Sequence, residues 1–241
     1  MGKIPQIPAE VFGDFTDDCR KIFGEPLHAI YLFGSGARGE YRPKHSDLNF
    51  LVLVGEEGLK KLREMVPFIP RWRKRAIAIP LVMTPNYLLS SLDSYPMEFL
   101  DMKLHHVVVY GEDLLKEVVI KPADLRLQLE REVKGKLIHL RQNFVASGLK
   151  PKIVRSILVN TIPTFRAIFT GLLYYMAETP HQRVSDLFKR TAEVFRLNKA
   201  VFVDVLKLRD KKTKIDKEDL VKLFEDYIAE IEKLSQKVDQ L

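Results

Sequence analysis

Two pairs of residues that could bind a ligand lie beside two neighbouring apolar runs. Gly34 and Ser35 follow the apolar run 27–33, and Asp47 and Asn49 open the run 48–54. A glycine at the end of a strand lets the backbone turn close to a phosphate, and the serine adds a hydroxyl beside backbone N–H groups. A Gly-Ser pair alone is common in ordinary turns. Joined to Asp47 at this spacing, it predicts a site for phosphate groups and a divalent cation.

The segment between these pairs is basic. It contains Arg38, Arg42, Lys44 and His45. One interpretation is a set of phosphate contacts, because the arginine guanidinium suits bidentate binding, and Arg38 is then the first candidate. The other interpretation is a solvated loop. His45 has no acidic or histidine neighbour at ligand spacing, so we expect it at the surface rather than on a metal.

Residues 28–54 resemble the signature of the polymerase-beta-type nucleotidyltransferase superfamily, in its kanamycin-nucleotidyltransferase-like and minimal nucleotidyltransferase branches. The resemblance implies an α/β domain followed by a helical bundle that is substrate-binding or HEPN-like. It also implies a bound nucleoside triphosphate and Mg²⁺. The residues at the corresponding positions are Gly34, Ser35, Arg38, Arg42 and Lys44 for the nucleotide, with Asp47 and Asn49 for the metal and Asp47 as the catalytic carboxylate.

The metal positions depart from the family pattern. In that family two carboxylates on one strand point the same way, because strand side chains alternate, and together they bridge two Mg²⁺ ions about 3.5–4 Å apart. Asp47 matches the first carboxylate, but Asn49 stands at the second. An amide oxygen can ligate Mg²⁺ without adding negative charge, so the sequence predicts a weakened site.

The family's third carboxylate normally comes from a neighbouring strand. The matching run here is 78–82, and Pro80 occupies the acidic place. Proline has no side-chain ligand or base, so two of the three expected carboxylates are missing. Asp93, Glu98 or Asp101 could substitute if the chain between 93 and 101 folds back toward the site. Surface solvation is the commoner role of such acids.

Two further clusters invite functional interpretations. Residues 71–75 place four basic side chains around Trp72, which is the only tryptophan. Such a cluster either holds single-stranded nucleic acid by phosphate contact and stacking, or packs its tryptophan at a domain edge. His105 and His106 are adjacent, and adjacent strand residues face opposite sides, so we expect a structural role rather than a shared metal.

The helical half lacks the signature of HEPN ribonucleases, an arginine and a histidine separated by four to six intervening residues. Neither His139 nor His181 has an arginine at that distance upstream. We therefore expect no RNA cleavage by this half. A second basic run, 209–214, is interpreted as a solvated loop between helices.

The elements that must position these residues alternate between strands and helices up to residue 110. The apolar pattern predicts strands over 27–33, 48–54, 77–83 and 107–110, although Pro80 is an awkward interior member of the third. It predicts helices at about 36–42, 57–65 and 85–92. These segments indicate a small α/β domain around a mixed sheet.

After Pro122 the apolar period becomes that of helices. Apolar residues recur every three to four positions up to Gly148, which is a natural helix stop. Further helices are predicted at about 151–178, with a kink at Pro163, and over 181–195 and 217–240. The sequence thus predicts a nucleotidyltransferase-like domain over 1–120 and a helical bundle over 121–241, that is, an α+β protein.

The composition suits a folded protein of 241 residues, with 46% hydrophobic and 29% charged residues. Residues 1–122 contain 16 basic and 16 acidic residues, so the net charge of +7 lies wholly in the C-terminal half. That half could attract a polyanion, although many basic helical domains are merely solvated. A single cysteine excludes a disulfide framework, and the start of the chain lacks the apolar core of a signal peptide. We expect a cytoplasmic protein without a membrane span.

Three functional hypotheses remain open. The first is a catalytically degenerate nucleotidyltransferase-like protein that binds a nucleotide or serves as an interaction module. The second is an active Mg²⁺-dependent transferase that moves a nucleoside monophosphate from a triphosphate to a hydroxyl of a small molecule, a protein or an RNA. The third is a non-catalytic module that binds RNA or a partner protein through the basic C-terminal half.

Overall fold

The computed structural model describes residues 3–181 and 183–241. Contacts within the chain divide it into two compact units, of which the first ends at Ile120 and the second begins at Lys121. The first unit contains a mixed four-stranded sheet with helices, and the second is helical. The predicted α+β fold class is therefore confirmed.

The sheet of the first unit consists of β1 (Leu27–Phe33), β2 (Asn49–Val54), β3 (Leu81–Met83) and β4 (His106–Tyr110). Their order across the sheet is β3-β2-β1-β4. β1 pairs antiparallel with β2 and with β4, whereas β2 pairs parallel with β3. The central position of β1 and β2 explains why both read as continuous apolar runs, since both of their faces are covered.

Short helices surround this sheet. They are α1 (Phe12–Phe23), α2 (Glu56–Leu59), α3 (Ile69–Lys74), α4 (Pro85–Ser90), α5 (Pro96–Leu104) and α6 (Leu114–Glu117), with 3₁₀ turns at Pro8–Val11 and Leu62–Phe68. α1 covers one face of β1 and β2, where Phe15 stacks on Phe50 with ring centroids 4.3 Å apart. This packing fixes the strands that carry the predicted site.

Three of the predicted elements in the first unit differ from the structure in extent or type. The helix predicted over 57–65 is divided into α2 (Glu56–Leu59) and the 3₁₀ turn Leu62–Phe68. Residues 34–39 form turns rather than the start of a helix at 36–42, because Gly34 and Gly39 have φ angles of 71° and 73°. The strand predicted over 77–83 is reduced to Leu81–Met83, preceded by a single bridge between Ile77 and Leu48. Pro80 interrupts it, because proline lacks the N–H that a ladder needs.

The second unit consists of α7 (Pro122–Ala146), α8 (Pro151–Tyr175), α9 (Val184–Val194), α10 (Lys199–Lys207) and α11 (Lys217–Val238). α8 packs against the other four. Its buried Phe165 and Phe169 form an aromatic cluster with Phe188, Phe202 and Tyr227. The helices predicted over 122–148, 151–178 and 217–240 are confirmed within a few residues. The helix predicted over 181–195 begins at Val184, and Gln182 lies outside the described residues.

One helix in the described ranges is long and apolar enough to cross a membrane. It is α8, whose most apolar window has a mean hydropathy of 1.3. Half of that window is buried inside the protein, and its buried residues pack in the aromatic cluster described above. A core helix meets the same criterion, so this finding is weak evidence for a membrane span.

Candidate functional site

The turn after β1 requires glycine at its first position. Gly34 has a φ of 71°, a conformation that side chains other than glycine's disfavour. A Cβ atom at this position would also lie 3.2 Å from Nδ2 of Asn49. The β1–β2 register brings the two residues together, because Phe33 pairs with Asn49. The predicted phosphate-binding turn therefore packs directly against the second predicted metal position.

Strand alternation determines which way the residues at the start of β2 face. Leu48 and Phe50 are fully buried in the core beneath α1, and Asn49 between them is partly buried. Asp47 precedes the strand and is exposed. By the two-residue period of extended chain, Asp47 and Asn49 share the side opposite Leu48. This is the placement that the family resemblance implies for its two carboxylates.

The Arg38 side chain is paired with acidic side chains. Its Nη1 atom donates to both carboxylate oxygens of Asp101, at 3.0 Å to Oδ1 and 2.7 Å to Oδ2. Its Nε lies 3.5 Å from Oε2 of Glu40. The Arg38 side chain is only 18% exposed. The first candidate for a phosphate contact is thus already paired with a carboxylate.

The Arg38–Asp101 ion pair shows that the end of the chain segment 93–101 lies close to the predicted site. α5 carries Asp101 back to the turn after β1, so this acid is beside the predicted site. Asp93 is exposed and accepts a hydrogen bond of 2.9 Å from Ser94. Glu98 lies on the exposed side of α5. Of the three acids considered as substitutes, Asp101 forms an ion pair with a predicted site residue, Arg38.

The other basic residues of the loop are open to solvent. Arg42 and Lys44 are exposed, and no ion pair engages either side chain in the part of the chain that the structure describes. Ser46 Oγ accepts the Arg42 N–H at 3.2 Å and holds the loop next to Asp47. His45 is exposed in the same turn, as expected. Arg42 and Lys44 are therefore the cations available to an anion here.

The pKa of the partly buried Tyr41 phenol is raised by its surroundings. Burial raises the pKa of Tyr41, and the carboxylates of Glu10 and Asp47 raise it further. Its hydroxyl donates to the Pro5 carbonyl at 3.2 Å. This contact anchors the loop between Arg38 and Asp47 to the start of the chain. Tyr41 was not recognised from the sequence, because a lone tyrosine in a loop gives no pattern.

The metal positions do not form a carboxylate cluster. Within residues 3–181 and 183–241, no three or more histidine, cysteine or acidic side chains come together as a metal site. Pro80 is buried immediately before β3, where the third carboxylate is expected. The donors at the start of β2 are the Asp47 carboxylate and the Asn49 amide. Such a set fits at most one Mg²⁺ that arrives with substrate phosphates, because Mg²⁺ is usually held by one or two carboxylates and phosphate oxygens.

The tryptophan cluster is structural. Trp72 is 2% exposed, and its Nε1 donates to Oδ2 of the buried Asp18 at 2.9 Å. Arg71 pairs with the same carboxylate, and Arg75 pairs with Asp14. A buried indole cannot stack on a nucleic acid base. The predicted stacking of Trp72 on a nucleic acid base is therefore wrong, and the tryptophan packs in the core of the first unit instead.

His106 is also structural, as expected. Its Nδ1 lies 2.8 Å from the Met102 carbonyl, and its Nε2 lies 2.8 Å from Oδ1 of Asp113. Both ring nitrogens are therefore engaged, which leaves no free lone pair for a metal. Tyr31 also contacts this segment, because its hydroxyl donates to the Glu112 carbonyl at 2.5 Å.

Cys19 offers no nucleophile. It is fully buried in α1, and burial raises the pKa of its thiol to about 12. At neutral pH the thiol is protonated and shielded from solvent. Cys19 is therefore a core residue of the first unit.

The second basic run forms an exposed loop with a fixed backbone. Arg155 donates to the carbonyls of Leu208, Asp210 and Thr213 at 2.6–3.2 Å. Residues 209, 211, 212 and 214 are exposed cations. The predicted solvated loop is present, and Arg155 was not recognised as its organiser, because such a role leaves no local sequence signal.

Comparisons with known proteins bear on the fold. No protein-family model matches the chain, and no curated protein matches it. A solved structure of the spectinomycin adenyltransferase AAD(9) from Enterococcus faecialis, with ATP and spectinomycin, is similar with a TM-score of 0.54 and 15% sequence identity. The similarity covers 93% of this chain and 99% of that chain. This likeness, together with the sheet and helical unit described above, shows that the chain has a nucleotidyltransferase-like fold.

Proposed function

We propose that the chain binds a nucleoside triphosphate at the turn after β1 and transfers little or no nucleotide. The observation that carries the proposal is the contact between Gly34 and Asn49. This observation supports the proposal, because the turn that we propose binds phosphate lies beside a strand start that offers one carboxylate instead of two. The nucleotidyltransferase-like fold supports the binding, and the lost carboxylates support the loss of chemistry.

Ser35, Arg42 and Lys44 would contact the phosphates, with Arg38 joining them only if it leaves Asp101. Asp47 and Asn49 would hold one Mg²⁺ with the phosphates. A bound Mg²⁺ would neutralise part of the phosphate charge. Activating an acceptor hydroxyl normally needs a second Mg²⁺ ion. A single carboxylate cannot hold two Mg²⁺ ions beside the negatively charged triphosphate. We therefore propose nucleotide binding with one weakly held Mg²⁺.

One observation favours the active-enzyme alternative. Asp101 stands 2.7 Å from Arg38, so a second carboxylate is close to the turn. The structurally similar adenyltransferase was solved with ATP and a small molecule, which supports ATP as the nucleotide and a small hydroxyl compound as the acceptor in that case. On this alternative, Asp101 replaces the acid missing at Pro80. On this alternative, hydroxyl groups of a protein or an RNA are further candidate acceptors for the nucleoside monophosphate.

The interaction-module alternative depends on the basic loop. Arg209, Lys211, Lys212 and Lys214 are exposed on a backbone that Arg155 fixes. Four cations on a preordered loop can attract RNA or an acidic partner protein without further chemistry. We also propose that the second unit is a substrate-binding or HEPN-like bundle. We propose in addition that the protein is cytoplasmic.

Calorimetric titration of the whole chain with ATP and with ATP plus MgCl₂ tests the main proposal. We expect saturable binding that Mg²⁺ strengthens in the wild type and does not strengthen in Asp47→Ala. Asp17→Ala is a matched control, because Asp17 is an exposed acid on α1 outside the site. Absence of ATP binding in the wild type at low salt would contradict the proposal and leave the interaction module as the remaining function.

A further inference from the structure

The second unit contains a cavity of about 320 Å³ between α7 and α8. Its volume lies at the lower end of the range found for small-molecule sites. Residues spaced by three or four positions line it from both helices, so each helix presents one continuous face. This cavity is independent of the nucleotide site proposed above.

The floor and rim of the cavity differ in chemistry. The buried side chains of Leu140 and Phe165 contribute apolar surface. The rim consists of the polar side chains Lys136, His139, Asn143, Asn160 and Thr164. Small-molecule sites combine these features, because an apolar body fills the floor while a few polar groups fix its orientation.

The polar residues are unexpected in this part of α8. The helix is the most apolar long helix of the described chain, yet Asn160 and Thr164 lie one turn apart on its cavity-lining face. The Thr164 side chain is partly buried, and no hydrogen bond occupies its hydroxyl in the described residues. Polar groups that pack between helices normally find partners, so this hydroxyl has capacity for a ligand.

The charge of the rim is positive. Lys136 is the charged residue among those that line the cavity in the described chain, and no carboxylate lines it. Lys136 forms an ion pair with Glu132 on the same helix, with 3.7 Å between Nζ and Oε2, which is longer than a hydrogen bond. The ammonium group can therefore turn to an anion without breaking a hydrogen bond.

We propose that this cavity binds a small organic anion with a flat apolar body. The anionic group pairs with Lys136, the body rests on Leu140 and Phe165, and the Thr164 hydroxyl and the Asn160 amide bond to its polar groups. A neutral molecule of the same shape fills the floor but offers Lys136 no charge beyond its long ion pair with Glu132. Selectivity for the anion over its neutral isostere is the property that distinguishes this site from a nonspecific groove.

Two probes of matched shape test the proposal on the whole chain, para-hydroxybenzoate and para-hydroxybenzamide. Their affinities are measured by ligand-observed NMR titration. We expect the carboxylate to bind about three-fold more tightly than the amide, which is the advantage of a partly exposed ion pair. In Lys136→Met this preference disappears. In Asn143→Asp, which places a negative charge on the rim, the carboxylate weakens and the amide does not.

Lys152→Met is the matched control, since Lys152 is an exposed lysine on α8 that does not line the cavity. It keeps the wild-type preference. The Asn143→Asp variant guards against misfolding as an explanation, because its amide affinity reports an intact cavity. Equal affinities of the two probes for the wild type, or a preference that survives in Lys136→Met, would overturn the proposal.

Discussion

Arg38 on the turn after β1 and Asp101 on α5 form an ion pair in which Nη1 contacts both carboxylate oxygens, at 3.0 and 2.7 Å. The two residues are 63 positions apart in the chain. Their pairing ties α5 to the turn that carries Gly34 and Ser35. It also occupies the arginine whose position best suits a phosphate contact in the family that the sequence resembles.

This ion pair predicts how Asp101→Asn changes nucleotide binding. The substitution removes the charge that holds Arg38, so the guanidinium becomes available to the phosphates. We expect the dissociation constant of ATP to fall about three- to ten-fold, with little change for adenosine, because charge-assisted hydrogen bonds to phosphate are strong. Calorimetric titration measures both ligands. Asp93→Asn, an exposed acid between α4 and α5, leaves both constants unchanged.

A weaker affinity for ATP in Asp101→Asn would contradict this prediction. It would mean that Asp101 contacts the metal or positions Arg38 for the phosphates. That result would favour the active-enzyme alternative, in which Asp101 replaces the missing third carboxylate.

The sequence predicted the parts of the site that depend on local chain geometry. The apolar runs located β1 and β2 within a residue or two, and the Gly34 turn followed from its position at a strand end. Strand alternation then predicted that Asp47 and Asn49 share a face. Each of these inferences uses neighbours along the chain, and a single sequence contains that information.

Long-range pairing could not be predicted in the same way. Asp101 was one of three acids considered, and nothing local distinguishes it from Asp93 before α5 is placed. Trp72 sits in a run of cations that suits nucleic acid as well as a core, and only its bond to Asp18 decides between them. The turns at 34–39 replaced the predicted helix because two glycines adopt positive φ angles, which composition alone does not dictate.

The contact between Gly34 and Asn49 predicts a difference between two glycine substitutions. Gly34 and Gly39 have φ angles of 71° and 73°, so alanine costs each of them about 1–2 kcal/mol of folding free energy in backbone strain. A Cβ at Gly34 also meets Asn49 at 3.2 Å, whereas none of the described atoms lies within 4 Å of one at Gly39. We expect Gly34→Ala to be the less stable variant in urea unfolding and to lose ATP affinity. Equal stabilities would show that the Asn49 side chain yields freely.

The buried carboxylate of Asp18 predicts a large loss of stability on substitution. It is 1% exposed and accepts the Trp72 indole N–H while pairing with Arg71. Asp18→Ala should lower the free energy of unfolding by about 1–3 kcal/mol, since the buried Trp72 indole N–H loses its acceptor, whereas Arg71 is half exposed and can be solvated. Urea unfolding monitored by fluorescence of the single tryptophan measures it. Asp17→Ala, its exposed neighbour, should change stability by less than about 0.5 kcal/mol.

Tyr227 predicts how stability responds to alkaline pH. Burial in the helical unit raises the pKa of Tyr227 above its ordinary value of 10.0, an effect that its hydrogen bond with Thr161 only partly offsets. The folded state therefore favours the neutral phenol. The contribution of this group to stability is fully present below pH 10.0 and is lost as the pH rises through its folded-state pKa.

Tyr227→Phe should consequently be less sensitive to high pH than the wild type. It loses the bond to Thr161, worth about 1 kcal/mol, at neutral pH, but its free energy of unfolding falls less between about pH 8 and pH 11. Urea unfolding followed by circular dichroism measures both values. Tyr175→Phe, a partly exposed tyrosine on α8, keeps the wild-type slope. Identical slopes for wild type and Tyr227→Phe would contradict the prediction.

Transfer of radiolabel from α-labelled ATP in the presence of Mg²⁺ tests most directly whether the site has lost its chemistry. The assay compares wild type, Asn49→Asp and Asp47→Ala with small hydroxyl compounds, RNA and protein as acceptors. Because the start of β2 provides one carboxylate, we predict no transfer above background in the wild type and in Asp47→Ala. Asn49→Asp should bind Mg²⁺ more tightly with at most a trace of transfer, since Pro80 still replaces the third acid. Robust transfer by the wild type that disappears in Asp47→Ala would contradict the account and show that Asn49 serves as a competent metal ligand.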